Sequence, residues 1–105
     1  MLNRVHRYEL CVGKTTVRMP ARVSGARAPL LHVDIKADQE VISLWALHAN
    51  DDVGLHSRTF HVVGTGHTFE GRGLAHVGSC LDESRQYVWH VFEDLDAMRD
   101  GEGGA

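Results

Sequence analysis

The chain has 105 residues with a formal net charge of −3, and its 43% hydrophobic and 24% charged residues are typical of one soluble globular domain. No apolar run approaches the roughly 20 residues that a transmembrane helix needs, so the sequence predicts no membrane span. The N-terminal residues form no secretion signal and the two cysteines are too few for a disulfide framework, which predicts a reduced, cytoplasmic protein.

Short apolar or alternating runs, separated by turn residues, predict seven β-strands. In the third run, for example, Leu31, Val33 and Ile35 share one face. The predicted strands are Val5–Val12, Thr15–Met19, Leu30–Lys36, Val41–Ala49, Arg58–Val63, Leu74–Leu81 and Gln86–Phe92. No helical period precedes residue 93, so we expect one all-β domain over residues 1–93, a small antiparallel sandwich or a partly open barrel.

Proline, glycine and asparagine mark the predicted connections between these strands. Pro20 is expected to end the second strand because proline cannot donate to a ladder, and Pro20–Pro29 is predicted to be a loop. Asn50–Ser57 and the glycine-rich Gly64–Gly73 are predicted loops as well. Residues 94–105 are predicted to be an acidic, glycine-rich tail, a short helix at most and then disordered.

The fourth and seventh predicted strands carry apolar residues on both faces. Trp45 alternates with Leu44 in one, and Trp89 alternates with Val88 in the other. Strands of this kind are buried on both sides, either within the domain or at a subunit interface. For so small a chain we therefore expect a homo-oligomer.

Histidine is the most conspicuous residue type, with eight copies in the chain. No two of them stand two, three or four positions apart, so the short-spaced pairs of common zinc sites are absent and no metal or cofactor is predicted. A weaker alternative brings His32, His67 and His90 together from separate strands, with Glu93 or Cys11 completing the shell. The plainer interpretation is that these side chains pack as amphipathic groups with one hydrogen bond each.

The distribution of charge suggests a binding site for a small anion. Residues 1–27 carry a net charge of +5 and the rest of the chain carries −8. Arginines there would neutralise phosphate, a tryptophan would stack on a base, and the glycine loop would offer backbone N–H groups to an anion. The candidate ligand-binding residues are Arg22, Arg27, Trp45, Arg58, Gly64, Gly66, His67, Trp89 and His90. Solvated strand faces and an ordinary glycine turn explain the same residues without a ligand.

Catalysis has little support in the sequence. No serine lies in a Gly-x-Ser-x-Gly motif, and Cys80 is expected to be a buried strand thiol. The carboxylate pairs fall in predicted turns or the tail, and we expect them to be solvated; they are Asp51-Asp52, Asp82-Glu83 and Glu93-Asp94. Polymeric nucleic acid is not expected as a partner because the overall charge is negative.

Several short sequence phrases stand out together. In chain order they are Arg7-Tyr8-Glu9-Leu10, Leu31-His32-Val33, Leu44-Trp45-Ala46-Leu47, Arg58-Thr59-Phe60 leading into Val63-Gly64-Thr65-Gly66-His67, and Val88-Trp89-His90-Val91-Phe92-Glu93. With these phrases the chain resembles a family of small uncharacterised proteins encoded by actinobacterial phages and prophages. The resemblance spans about residues 4–93. It implies a source and a size class rather than a mechanism, and it directs attention to His32, Trp45, Gly64, Gly66, His67, Trp89 and His90.

These observations lead to one expected function and two alternatives. The first is a non-enzymatic phage accessory protein that sequesters a small anionic, nucleotide-like ligand or a host factor, for instance in counteracting a host defence. Its pocket is predicted between Pro20–Pro29 and Gly64–Gly73. A structural protein of the virion or of assembly is the first alternative, and a histidine-based metal-dependent enzyme is the second.

Overall fold

A computed structural model describes residues 3–21, 27–36, 41–49, 53–82 and 87–96, and every structural statement below concerns these residues. Their elements are seven strands: β1 (Asn3–Cys11), β2 (Gly13–Ala21), β3 (Leu30–Lys36), β4 (Val41–Ala49), β5 (Val53–Gly64), β6 (Leu74–Leu81) and β7 (Val88–Asp94). The predicted all-β fold is therefore confirmed. Helices long and apolar enough to cross a membrane are absent from this part of the chain.

The strands form two antiparallel sheets that do not close into a barrel. The first sheet has the order β1-β4-β3 and the second has the order β2-β5-β7-β6. Alternating residues of each strand turn inward and meet in one apolar core, as expected for a sandwich. The buried core residues are Leu10, Met19, Val33, Ile42, Leu44, Ala46, Phe60, Val62, Cys80 and Val91.

The prediction of a loop over Asn50–Ser57 was wrong for its second half. β5 begins at Val53, and its first residues pair with β2, where Ser57 lies opposite Arg18 and Val53 lies opposite Ala21. Pairing along a neighbouring strand here outweighs the weak strand propensity of a glycine-containing segment. Residues 50–52 lie outside the described residues.

Pro20 does not end β2, contrary to the prediction. The strand runs on to Ala21, and its register against β5 shifts between Met19 and Ala21. β2 is an edge strand, and a bulge at an edge is one of the places where a sheet tolerates a residue without an N–H. Residues 22–26 of the predicted loop lie outside the described residues.

The glycine-rich loop crosses the outer face of the second sheet. β5 and β6 both pair antiparallel to β7, so they run parallel to each other, and residues 65–73 must pass over β7 to join them. This crossover loop packs the ring of Phe69 at 5.6 Å from the ring of Phe92, and its Gly66 takes a positive φ of 89°. Glycine adopts that backbone conformation at little cost.

The two sheets come close at the β3 and β6 edges. The register of β6 against β7 shifts between His76 and Gly78, and an added Cβ at Gly78 would lie only 2.7 Å from Cγ2 of Val33 on β3. Gly78 therefore allows the approach of β6 to the buried Val33 side chain.

This approach predicts that Gly78→Ala destabilises the fold through overpacking, by about 1–3 kcal/mol. Urea denaturation measures the free energy of unfolding. In a Val33→Ala background the same glycine substitution should cost less, because the colliding methyl group is absent. Strictly additive effects of the two substitutions would contradict the close approach.

Candidate functional site

The predicted ligand-binding residues lie in four separate places. Arg27 and Arg58 meet inside the sandwich, whereas Gly64, Gly66, His67 and Trp89 gather at the far end of β5. Trp45 lies on the outer face of the first sheet and His90 on the outer face of the second. Arg22 lies outside the described residues.

The interior group consists of Arg27, Arg58 and Glu93, called the ionic cluster here. Arg58 and Glu93 are 5% and 4% exposed. Nε and Nη2 of Arg58 donate to the two carboxylate oxygens of Glu93 at 2.7 and 2.8 Å, while Nη1 donates to the carbonyl oxygen of Ala28 at 2.9 Å. Arg27 also pairs with Glu93, and a third of its side chain remains exposed.

Strand alternation places both charged partners inward. Arg58 shares its face of β5 with the buried Phe60 and Val62, and Glu93 shares its face of β7 with the buried Val91. Each of these buried charges stabilises the other, since an unpaired ion in the interior costs several kcal/mol. The bidentate Arg58–Glu93 contact supplies that pairing with fixed geometry.

The prediction that Glu93 and Asp94 are solvated was wrong. Both are buried, because β7 continues to Asp94 rather than ending at Phe92. Asp94 Oδ2 lies 2.9 Å from Nε2 of the buried His61 on the outer face of the sheet. The spacing of two residues between the apolar Val91 and Glu93 was the signal in the sequence that this carboxylate turns inward.

The ionic cluster carries more positive than negative charge. Among the described residues, Glu93 is the carboxylate that contacts Arg58 and Arg27, so one negative charge faces two guanidinium groups. Burial, and next the charge of Arg27, lower the pKa of Arg58 to about 10. Burial also lowers the pKa of Arg27. Burial is the main cause of both shifts, and only the shift of Arg58 includes repulsion by a neighbouring positive charge.

Polar side chains of the first sheet, which the sequence did not single out, lie near this cluster. Tyr8 Oη lies 2.7 Å from Nε2 of the buried His48, and the ring of His6 lies 5.4 Å from that of His48. Burial raises the pKa of Tyr8, whereas the positive charge of Arg58 lowers it. The backbone N–H of Leu47, next to His48, donates to the carbonyl oxygen of Pro29 at 2.9 Å, which places this end of β4 beside the segment that Arg58 binds through Ala28.

At the other end of β5, the glycine loop meets an aromatic group. Nε2 of His67 lies 2.7 Å from Oη of Tyr87, whose ring lies 5.0 Å from that of Trp89. An added Cβ at Gly64 would come within 2.3 Å of the Tyr87 ring, so glycine is needed for this contact. His67 and Trp89 were predicted candidates, and Tyr87 was not.

The structure does not assemble the predicted combination of phosphate-binding arginines and a stacking tryptophan. Arg58 and Gly64 are six residues apart on β5, which corresponds to about 20 Å. Trp45 alternates with the core residues Leu44 and Ala46, so it faces outward, and its ring lies 5.5 Å from that of His32. A single mononucleotide does not span these positions.

The outer face of the second sheet holds a chain of hydrogen-bonding side chains. Nδ1 of His90 lies 2.9 Å from Oγ of Ser79, and Nε2 of His90 lies 3.0 Å from Oγ1 of Thr65. Beside it, a cleft of about 290 Å³ opens between the β1–β2 turn and the crossover loop, with His61 and His67 in its wall. Within the described ranges, no three histidine, cysteine, aspartate or glutamate side chains are placed to hold a metal ion.

Comparison with known proteins identifies one family. The model of a family described as a domain of unknown function (DUF7352) matches residues 1–100. Because the match covers nearly the whole chain, the chain belongs to that family. No curated protein and no solved structure matches it.

The geometry predicts that Glu93→Gln destabilises the fold, by about 3 kcal/mol, because the buried Arg58 and the partly buried Arg27 then lose their counter-charge. Chemical denaturation measures the change in the free energy of unfolding. Glu70→Gln, in the exposed part of the crossover loop, is the matched control and should have little effect. Equal stability of the two variants would contradict the structural role of the ion pair.

The two thiols are predicted to react at very different rates. Cys11 is exposed, whereas burial, and then the charge of Asp34, raise the pKa of Cys80 to about 11. The thiolate is the reactive form, so a disulfide reagent at pH 8 should modify Cys11 quickly and Cys80 only after unfolding. Cys11→Ser should remove the fast phase, and a fast phase that survives would contradict the burial of Cys80.

Proposed function

We propose that this member of the family is a non-enzymatic binding protein whose ionic cluster holds the anionic group of a small ligand. The observation that supports this most is the sharing of one carboxylate, Glu93, by the guanidinium groups of Arg27 and Arg58. An anion bound beside them would balance the charge in a place where water screens little.

The two arginines have different parts in this proposal. Arg58 is buried and committed to Glu93 and the Ala28 carbonyl oxygen, so it supplies a fixed positive charge. Arg27 has a third of its side chain exposed, and its buried Nε has no hydrogen-bond partner among the described residues, so this N–H is available to donate to a ligand. Guanidinium donors match the oxygens of phosphate and carboxylate groups in pairs.

The class of ligand follows from the neighbouring side chains. Tyr8, His48 and His6 form a ring cluster at the same end of the sandwich, and their hydroxyl and imidazole groups suit a polar ligand with several oxygen acceptors. We therefore propose a small phosphate-bearing molecule, such as a nucleotide bound through its phosphates. The aromatic group around Trp89 is too distant to hold the base of a mononucleotide.

The biological setting is proposed from the resemblance to small proteins of actinobacterial phages and prophages. A phage accessory protein that sequesters a nucleotide or a host factor in the host cytoplasm fits a small domain with a charged interior cluster. A homo-oligomer is part of this proposal.

A structural role in the virion or its assembly is the second candidate, favoured by the exposed edge strand β1. Stoichiometric copies in purified virions would support that candidate.

The binding proposal predicts that Arg27→Ala lowers affinity for pyrophosphate or ADP about tenfold or more, because a hydrogen-bonded charge is lost from the site. Isothermal titration calorimetry against both probes measures the dissociation constants. Arg18→Ala removes the same charge from an exposed position of β2 and is the matched control. Equal loss in both variants, or no binding by the wild type, would contradict the proposed site.

A further inference from the structure

Three of the four sheet edges are interrupted in a way that discourages pairing with another chain. Edge strands expose unpaired backbone groups, and bulges or prolines protect them. The edges are β1 and β3 in the first sheet and β2 and β6 in the second. The register shifts after Met19 in β2, after Leu30 in β3 and after His76 in β6.

β1 has no such interruption. It pairs with β4 through nine consecutive residues without a register shift, and it contains no proline. All its residues are exposed except Tyr8 and Leu10, and Val5 keeps 54% of its surface exposed. No other strand of the described residues pairs with its free edge. β1 is thus a long, regular and open edge.

We propose that β1 pairs antiparallel with β1 of a second copy of this chain, centred on Tyr8. A twofold axis would then pass between the two strands and join two three-stranded sheets into one six-stranded sheet. Such self-complementary contacts are the commonest basis of homodimers. The proposal depends on the β1 edge and not on the ionic cluster, so it stands or falls separately from anion binding.

The charges of β1 favour this register over the two neighbouring ones. Residues directly opposite in an antiparallel pair point to the same face, and opposite charges there stabilise while like charges destabilise. With Tyr8 at the centre, Arg7 lies opposite Glu9 of the partner subunit, and the symmetry produces this pair twice. A centre at Arg7 would place two arginines opposite each other, and a centre at Glu9 would place two glutamates opposite each other.

Charge reversal on β1 tests the proposal directly. Size-exclusion chromatography with light scattering should give twice the chain mass of 11.6 kDa for the wild type. Arg7→Glu alone or Glu9→Arg alone should weaken dimerisation about tenfold or more, because each replaces two attractive pairs by two repulsive ones. The double variant Arg7→Glu/Glu9→Arg restores both pairs and should dimerise like the wild type.

A mixture of the two single variants provides the sharpest arm of the experiment. Their edges are complementary only to each other, so native mass spectrometry should show a heterodimer that outnumbers either homodimer. Arg18→Ala on β2 is the control and should leave the wild-type dimer intact. A monomeric wild type would overturn the proposal. So would a dimer whose stability is unchanged by the charge reversals, because its subunits would then associate through another surface.

The register has a second, covalent test. With Tyr8 at the centre, Val5 lies opposite Cys11 of the partner subunit, which is exposed and free. Val5→Cys should therefore form an intermolecular disulfide under mild oxidation, since opposite residues of paired strands lie within bridging distance. The bond should disappear when Cys11→Ser is added. No increase in cross-linked dimer over the wild type would refute this register.

Discussion

The carboxylate of Glu93 between two guanidinium groups is the interaction on which the interior of this sandwich depends. It ties β7 to β5 through Arg58, and through Arg27 and the Ala28 carbonyl oxygen it holds the chain segment that leads into β3. Without the carboxylate, Arg58 would be a buried charge without a counter-ion, which a fold of this size tolerates poorly. The same arrangement leaves an excess of positive charge, so the cluster that joins these strands is also the one that we propose binds an anion.

Strand order determines what the rest of the molecule offers to partners. Because β5 and β6 run parallel on either side of β7, the crossover loop must lie on the outer face of the second sheet, where Phe69 covers Phe92 and His61. That face is consequently occupied by the chain itself. Bulges interrupt three edges, and the β1 edge remains open, so a second copy would pair with the backbone of β1, whereas a ligand would bind beside Arg27.

Much of the fold could be predicted from the sequence, because strand periodicity is a local property. The alternation in β3 and the apolar run of β4 identified those strands with their observed bounds. The start of β5 was missed because its stability comes from pairing with β2, more than thirty residues earlier in the chain. The site was predictable only in pieces. Arg58 was named, but its partner Glu93 is 35 residues away, and the meeting of Tyr8 with His48 across 40 residues depends on strand order.

The most direct test of an anion site at the ionic cluster is a titration followed through the arginine side chains by nuclear magnetic resonance. The Nε–H signals of Arg27 and Arg58 report on the ionic cluster, and those of Arg4 and Arg18 report on exposed arginines in the same sample. With pyrophosphate added at constant ionic strength, we expect a saturable shift of the Arg27 and Arg58 signals and none of the other two. Equal, non-saturating shifts at all four arginines would show only general screening and would contradict a charge-deficient site built around Glu93.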